Sequence, residues 1–98
     1  MVRHIVMFRL AADSDRARLA KEFKEAIEKL PAVLPTLDTV AVGINDGPAA
    51  GNWDIVLTAD CADYAALEAY SAAPEHLACV AIIKPALEGR VCVDYTVD

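Results

Sequence analysis

Three polar rings carry the chemistry that this 98-residue chain offers: His4, Tyr70 and His76. Tyr70 and His76 flank an Ala-Ala-Pro break in "AYSAAPEHLACV", a stretch otherwise built from alanine and aliphatic residues. An imidazole in apolar surroundings is neutral at pH 7, because burial disfavours its charged form. Neutral imidazole accepts a proton from a carbon acid beside a carbonyl, and a phenol donates a hydrogen bond to the enolate oxygen that develops. That is cofactor-free enolisation, aldol or cyclisation chemistry, with His76 as base, Tyr70 as oxyanion donor and His4 as secondary support. The same rings also suit a packed core, in which buried phenol and imidazole satisfy each other's hydrogen bonds. Both readings stand at this point: a small-molecule-binding protein or enzyme, and a non-enzymatic, structural oligomer.

Positioning these rings requires elements that the spacing of apolar residues supplies. Residues 2–10 alternate as a strand, with Val2, His4, Val6, Phe8 and Leu10 on one side and Arg3, Ile5, Met7 and Arg9 on the other. "DSD" at 13–15 offers N-caps for a helix in which Leu19, Phe23, Ala26, Ile27 and Leu30 recur at helical spacing, until Pro31 stops it. Strands are predicted over 37–46 and 53–61, joined by the turn-rich "GPAAGN". Asp63 caps a helix reaching about Ala72. Pro74 opens another, expected to run to Leu87 with a kink at Pro85 and to stop at Gly89. A last strand follows over 90–97. The order is the α+β, ferredoxin-like βαββααβ arrangement, with a four-stranded antiparallel sheet and helices on one face.

In that arrangement His76 shares an azimuth with Val80, Ile83 and Leu87 and looks toward the sheet, as Tyr70 does from the preceding helix. His4 looks into the same layer. Phe8, Phe23, Ile27, Ile55 and Leu57 are expected to line the resulting pocket; Trp53 either roofs it or packs at the core or rim, and Tyr95 either lines it or fills it. No metal site is expected, since neither histidine has an obvious carboxylate at ligand spacing and Glu75 points away from His76. Arg3 and Arg9 are expected to pair with Asp54, Asp60 or Asp94.

Composition bounds the rest. The chain carries nine Lys and Arg against fifteen Asp and Glu, a net charge of −6, with no basic cluster. Nucleic acid and anionic membrane are therefore poor partners. Cys61, Cys79 and Cys92 are odd in number and lack a CxxC pattern, so they read as small hydrophobes in a reducing cytoplasm. "MVRHIVMFRL" is too short and too charged for a signal peptide. One domain spanning 1–98 is expected. Its hydrophobic fraction of 56% and its two-sided apolar strands exceed what its own helices can cover. A second copy is expected on the open sheet face, making a homodimer.

"RHIVMFRL", "VGIND", "WDIVLTADCADYAALEAYSAAPEHLACVAIIKP" and "VCVDYTV" together resemble the stress-responsive α/β-barrel (Dabb) family over essentially the whole chain. The resemblance implies a ferredoxin-like protomer pairing into a dimeric α/β barrel. The family includes plant stress proteins, a very stable ring-forming assembly and a plant polyketide cyclase that works without a cofactor. The cyclase's Tyr–His acid–base pair maps onto Tyr70 and His76, and its N-terminal-strand histidine onto His4. The chain departs from it at Ile55, where the cyclase has another histidine, and at Ile27, where it has a tyrosine. Work without a cofactor is what the resemblance implies, and a small carbonyl or phenolic compound is the expected ligand.

Overall fold

The computed structural model describes residues 1–97. Four strands and three helices follow one another as β1 (Val2–Leu10), α1 (Arg16–Ile27), β2 (Thr39–Ile44), β3 (Ile55–Cys61), α2 (Tyr64–Ala72), α3 (Pro74–Ile83) and β4 (Leu87–Thr96). The sheet is antiparallel throughout, in the order β2-β3-β1-β4. This is the ferredoxin-like α+β fold. Two acidic caps start helices: the Asp15 carboxylate accepts from the Arg18 N–H at 3.3 Å, and Asp63 from the Ala66 N–H at 2.8 Å.

Two boundaries differ from expectation. Helix α1 ends at Ile27, and Leu30 instead begins a short 3₁₀ turn that includes Pro31. The last helix ends at Ile83, four residues before Leu87. Pro85 lies in a 3₁₀ turn, Lys84–Ala86, and the chain enters β4 at Leu87. The Ala11 N–H donates to the Ala86 carbonyl at 2.7 Å, and Leu10 pairs with Leu87, so the β1–β4 ladder captures these residues before a helix can continue. Gly89 is therefore no helix stop. It lies within β4 opposite Arg9.

The core lies between the sheet and its helices. Val2, Val6, Phe8 and Leu10 of β1 and Ile55, Leu57, Ala59 and Cys61 of β3 are buried there. Phe23 and Ile27 of α1, Leu67 and Tyr70 of α2, and Cys79 and Ile83 of α3 complete the layer. Phe8 and Phe23 meet edge to face, with centroids 5.4 Å apart. Helix α1 also blunts the outer edge of β2. The Glu28 carboxylate accepts the Val42 N–H at 3.0 Å, and the Lys24 ammonium donates to the Val42 carbonyl at 2.6 Å.

Coverage stops short of β4. The residues that β4 turns to the helix side, Arg90, Cys92, Asp94 and Thr96, are all exposed. On the opposite face the sheet presents Ile5, Met7, Val56, Val91, Val93 and Tyr95 beside Arg3 and Asp60. Arg3 reaches Asp60 through two hydrogen bonds, of 2.9 and 3.1 Å. The other acids expected near the arginines are elsewhere: Asp54 accepts the Leu10 N–H at 2.7 Å and pairs with Arg16 at 3.5 Å, and Asp94 faces the helix side.

Candidate active site

Tyr70 and His76 meet at the α2–α3 corner. Ala73 is at once the C-cap of α2 and the N-cap of α3, in extended backbone that the following proline enforces. Turning the chain at this one residue brings the two rings to a centroid separation of 4.5 Å, tilted by 55°. His76 is half-buried, and its Nδ1–H donates to the Ser71 carbonyl oxygen at 2.9 Å. That bond fixes the tautomer and leaves the Nε2 lone pair as the basic position. Burial pulls the His76 pKa below its ordinary value, the Ser71 bond opposes it, and the nearby charges of His4 and Arg90 add to the lowering. The ring is neutral at pH 7.

Tyr70 is fully buried, and burial pushes its phenol far above the ordinary tyrosine value, with the neighbouring thiols of Cys61 and Cys79 contributing. It is a donor at any physiological pH. Among the described residues, its hydroxyl is the buried side-chain polar atom left without a hydrogen-bond partner. The phenol and imidazole rings are in tilted contact rather than hydrogen-bonded to each other. A core built for packing alone rarely leaves such a group unpaired, at a cost of about 1–3 kcal/mol.

His4 looks into the same layer from β1, 7% exposed, directly opposite Asp94 in the β1–β4 ladder. Its Nδ1–H donates to Asp94 Oδ1 at 2.5 Å. Cys92, two residues before Asp94 and on the same side, places Sγ 3.4 Å from that oxygen and 3.3 Å from His4 Nδ1. Burial opposes ionisation of Asp94, but the bonds from His4 and Cys92 outweigh it and hold the carboxyl below the usual range. Burial, then Asp94, push the Cys92 thiol up.

Phe8, Phe23, Ile27, Ile55 and Leu57 are packed in the same buried core as Tyr70. Trp53 and Tyr95 are not. The Trp53 ring crosses the open face and rests on Gly89, while Tyr95 pairs with Arg3 on that same face, 41% exposed. Neither roofs nor lines the helix-side layer. Trp53 precedes the first residue of β3, so strand alternation does not govern it, and Tyr95 follows the register of β4 on β1. Asp94, expected beside an arginine, and Cys92, expected to act as a small hydrophobe, stand instead at His4, so the expectation that no carboxylate lies at ligand spacing from a histidine fails. The C-x-D spacing in "VCVDY" places both on one side of a strand, but only the register reveals His4 opposite them.

A four-stranded ferredoxin-like sheet with a tyrosine–histidine corner closing its helix layer defines the class of protein. The chain belongs to the Dabb family, the Stress responsive A/B Barrel Domain, which matches residues 2–97. It is similar to a dimeric, ferredoxin-like protein of unknown function from Bacteroides fragilis, at 36% identity over 96% of this chain and 93% of that one, TM-score 0.90. A dimeric ferredoxin-like protein from Thermobifida fusca is also 36% identical, over 98% of this chain and 90% of that one, TM-score 0.85. Hydroxynitrile lyase from Passiflora edulis shares the fold, at 20% identity, 99% and 93% coverage and TM-score 0.79. No curated protein matches the chain. No helix among the described residues is long and apolar enough to cross a membrane.

Proposed function

We propose that two copies of this chain form a dimeric α/β barrel, and that each binds a small carbonyl or phenolic compound between β1, β4 and the α2–α3 corner. His76 is the general base, Tyr70 the donor to a developing oxyanion and His4 a supporting polar group. No cofactor takes part. The observation that carries this reading is the unpartnered Tyr70 hydroxyl beside an imidazole whose tautomer is held by the Ser71 carbonyl. A neutral base and a protonated donor side by side are the two parts that enolisation needs. The exposed apolar open face and two dimeric relatives at 36% identity support the pairing of copies. A lyase on the same fold agrees with a fold able to host such chemistry, at the level of architecture alone.

The test is solvent deuterium exchange at the α-carbon of a methyl ketone that exchanges slowly unaided, together with binding isotherms for a panel of phenols and ketones. The protein accelerates exchange or binds a panel member, and both Tyr70→Phe and His76→Ala lower that response at least tenfold. Variants that lose stability while binding and exchange stay at the wild-type level would instead mark the rings as structural and the protein as a non-enzymatic oligomer.

A further inference from the structure

The cluster of His4, Cys92 and Asp94 is not required by packing. Cys92 is exposed, so its thiol fills no core space, and Asp94 is also exposed. Yet three donors of different chemistry converge on one point from two adjacent strands. Asp94 Oδ1 receives both the His4 Nδ1–H and the Cys92 S–H. Nδ1, Sγ and Oδ1 form a triangle with sides of 2.5, 3.3 and 3.4 Å. Zinc bonds of about 2.0–2.3 Å in tetrahedral geometry separate such donors by roughly 3.3–3.6 Å. The two edges that meet at sulfur already fit. The third opens to that length by a small rotation of the Asp94 carboxylate, which sits at the exposed margin of the cluster.

We infer that His4, Cys92 and Asp94 form a divalent-metal site selective for zinc, built on the β1–β4 ladder where the helices leave the sheet uncovered. Thiolate and imidazole ligation selects zinc over magnesium or calcium, which prefer all-oxygen shells. The proton balance is simple. The Cys92 thiol proton leaves to solvent, the His4 proton shifts from Nδ1 to Nε2, and the carboxylate is already ionised. Two negative ligands then neutralise the dication. Arg90, which precedes Cys92 by two positions on the same side of β4, opposes the ion by charge. Three protein ligands and an uncovered side leave a fourth position for water or a small anion, as in catalytic rather than structural zinc sites. This site shares His4 with the pocket proposed above but uses neither Tyr70 nor His76.

Full-length protein stripped with a chelator is dialysed against zinc, and separately against cobalt, whose thiolate charge-transfer absorption reports a cysteine ligand. The wild type binds one zinc per chain, and its cobalt form shows the thiolate band. Cys92→Ser abolishes the band and weakens zinc binding at least tenfold, and Asp94→Asn weakens zinc binding by a similar factor. Both substitutions are at exposed positions, and an unchanged circular-dichroism spectrum establishes that each variant is folded. Arg90→Gln keeps the site and tightens it, and His76→Ala keeps it unchanged. Zinc binding by the wild type no stronger than by a folded Cys92→Ser/Asp94→Asn double variant would overturn the site. So would a cobalt form without the thiolate band.

Discussion

Gly89 of β4 lies directly under the indole of Trp53: a Cβ built at position 89 would stand 2.9 Å from the Trp53 ring carbon Cη2. A glycine is needed here for close approach, not for backbone freedom, since Gly89 holds an ordinary strand conformation. Gly89→Ala must displace the indole or part the strands, and it is expected to lower stability by about 1–3 kcal/mol. Urea denaturation checks this, and wild-type stability in the variant would mean that the ring moves aside at no cost.

Tyr70 yields an expectation with opposite signs for stability and function. Its hydroxyl is buried without a partner, so Tyr70→Phe removes an unmet hydrogen-bonding group and leaves the packing of the ring. Stability should stay level or rise by about 1 kcal/mol, while ligand binding or exchange falls. A variant that is clearly less stable would show that the hydroxyl makes a bond in solution.

His76 makes stability depend on pH in a defined direction. Its folded pKa lies below the ordinary value, so in mildly acidic solution the unfolded chain binds the proton more readily. Its contribution is therefore complete above about pH 6.5, the unperturbed histidine value, and declines as pH falls from there toward the folded pKa. Urea melts from pH 8 to 5 should show this decline in the wild type and a shallower one in His76→Leu. Titration of the imidazole by NMR should give a midpoint lower than that of a free histidine.

The open sheet face predicts a concentration-dependent assembly. Val93 is 63% exposed in the single chain and lies amid Ile5, Val91 and Tyr95. Val93→Asp buries a charge in any interface formed there. Sedimentation should find the wild type dimeric at micromolar concentration and the variant monomeric, with a melting temperature that no longer rises with protein concentration. A monomeric wild type would remove the interface.

Most of the fold is legible in the chain because its signals are periodic. The alternation in residues 2–10 and 55–61, the acidic caps Asp15 and Asp63, and Pro74 at a helix start all act locally. The errors cluster where a distant strand decides. "IIKPALEG" has no capping residue that separates helix from strand, and only pairing of Leu10 with Leu87 draws it into the sheet. The same register turns Tyr95 toward Arg3 and Asp94 toward His4. No local pattern encodes that choice.

The polar corner also divides the candidate site by chain distance. Tyr70 and His76 are six positions apart across a single bent residue, whereas His4 and Asp94 are separated by ninety. Little loop-closure entropy opposes the first contact, and almost the full length of the chain must be ordered before the second can form. The imidazole and its phenol neighbour thus meet through a short, local contact. The histidine of the first strand meets its carboxylate only once the two ends of the polypeptide have come together.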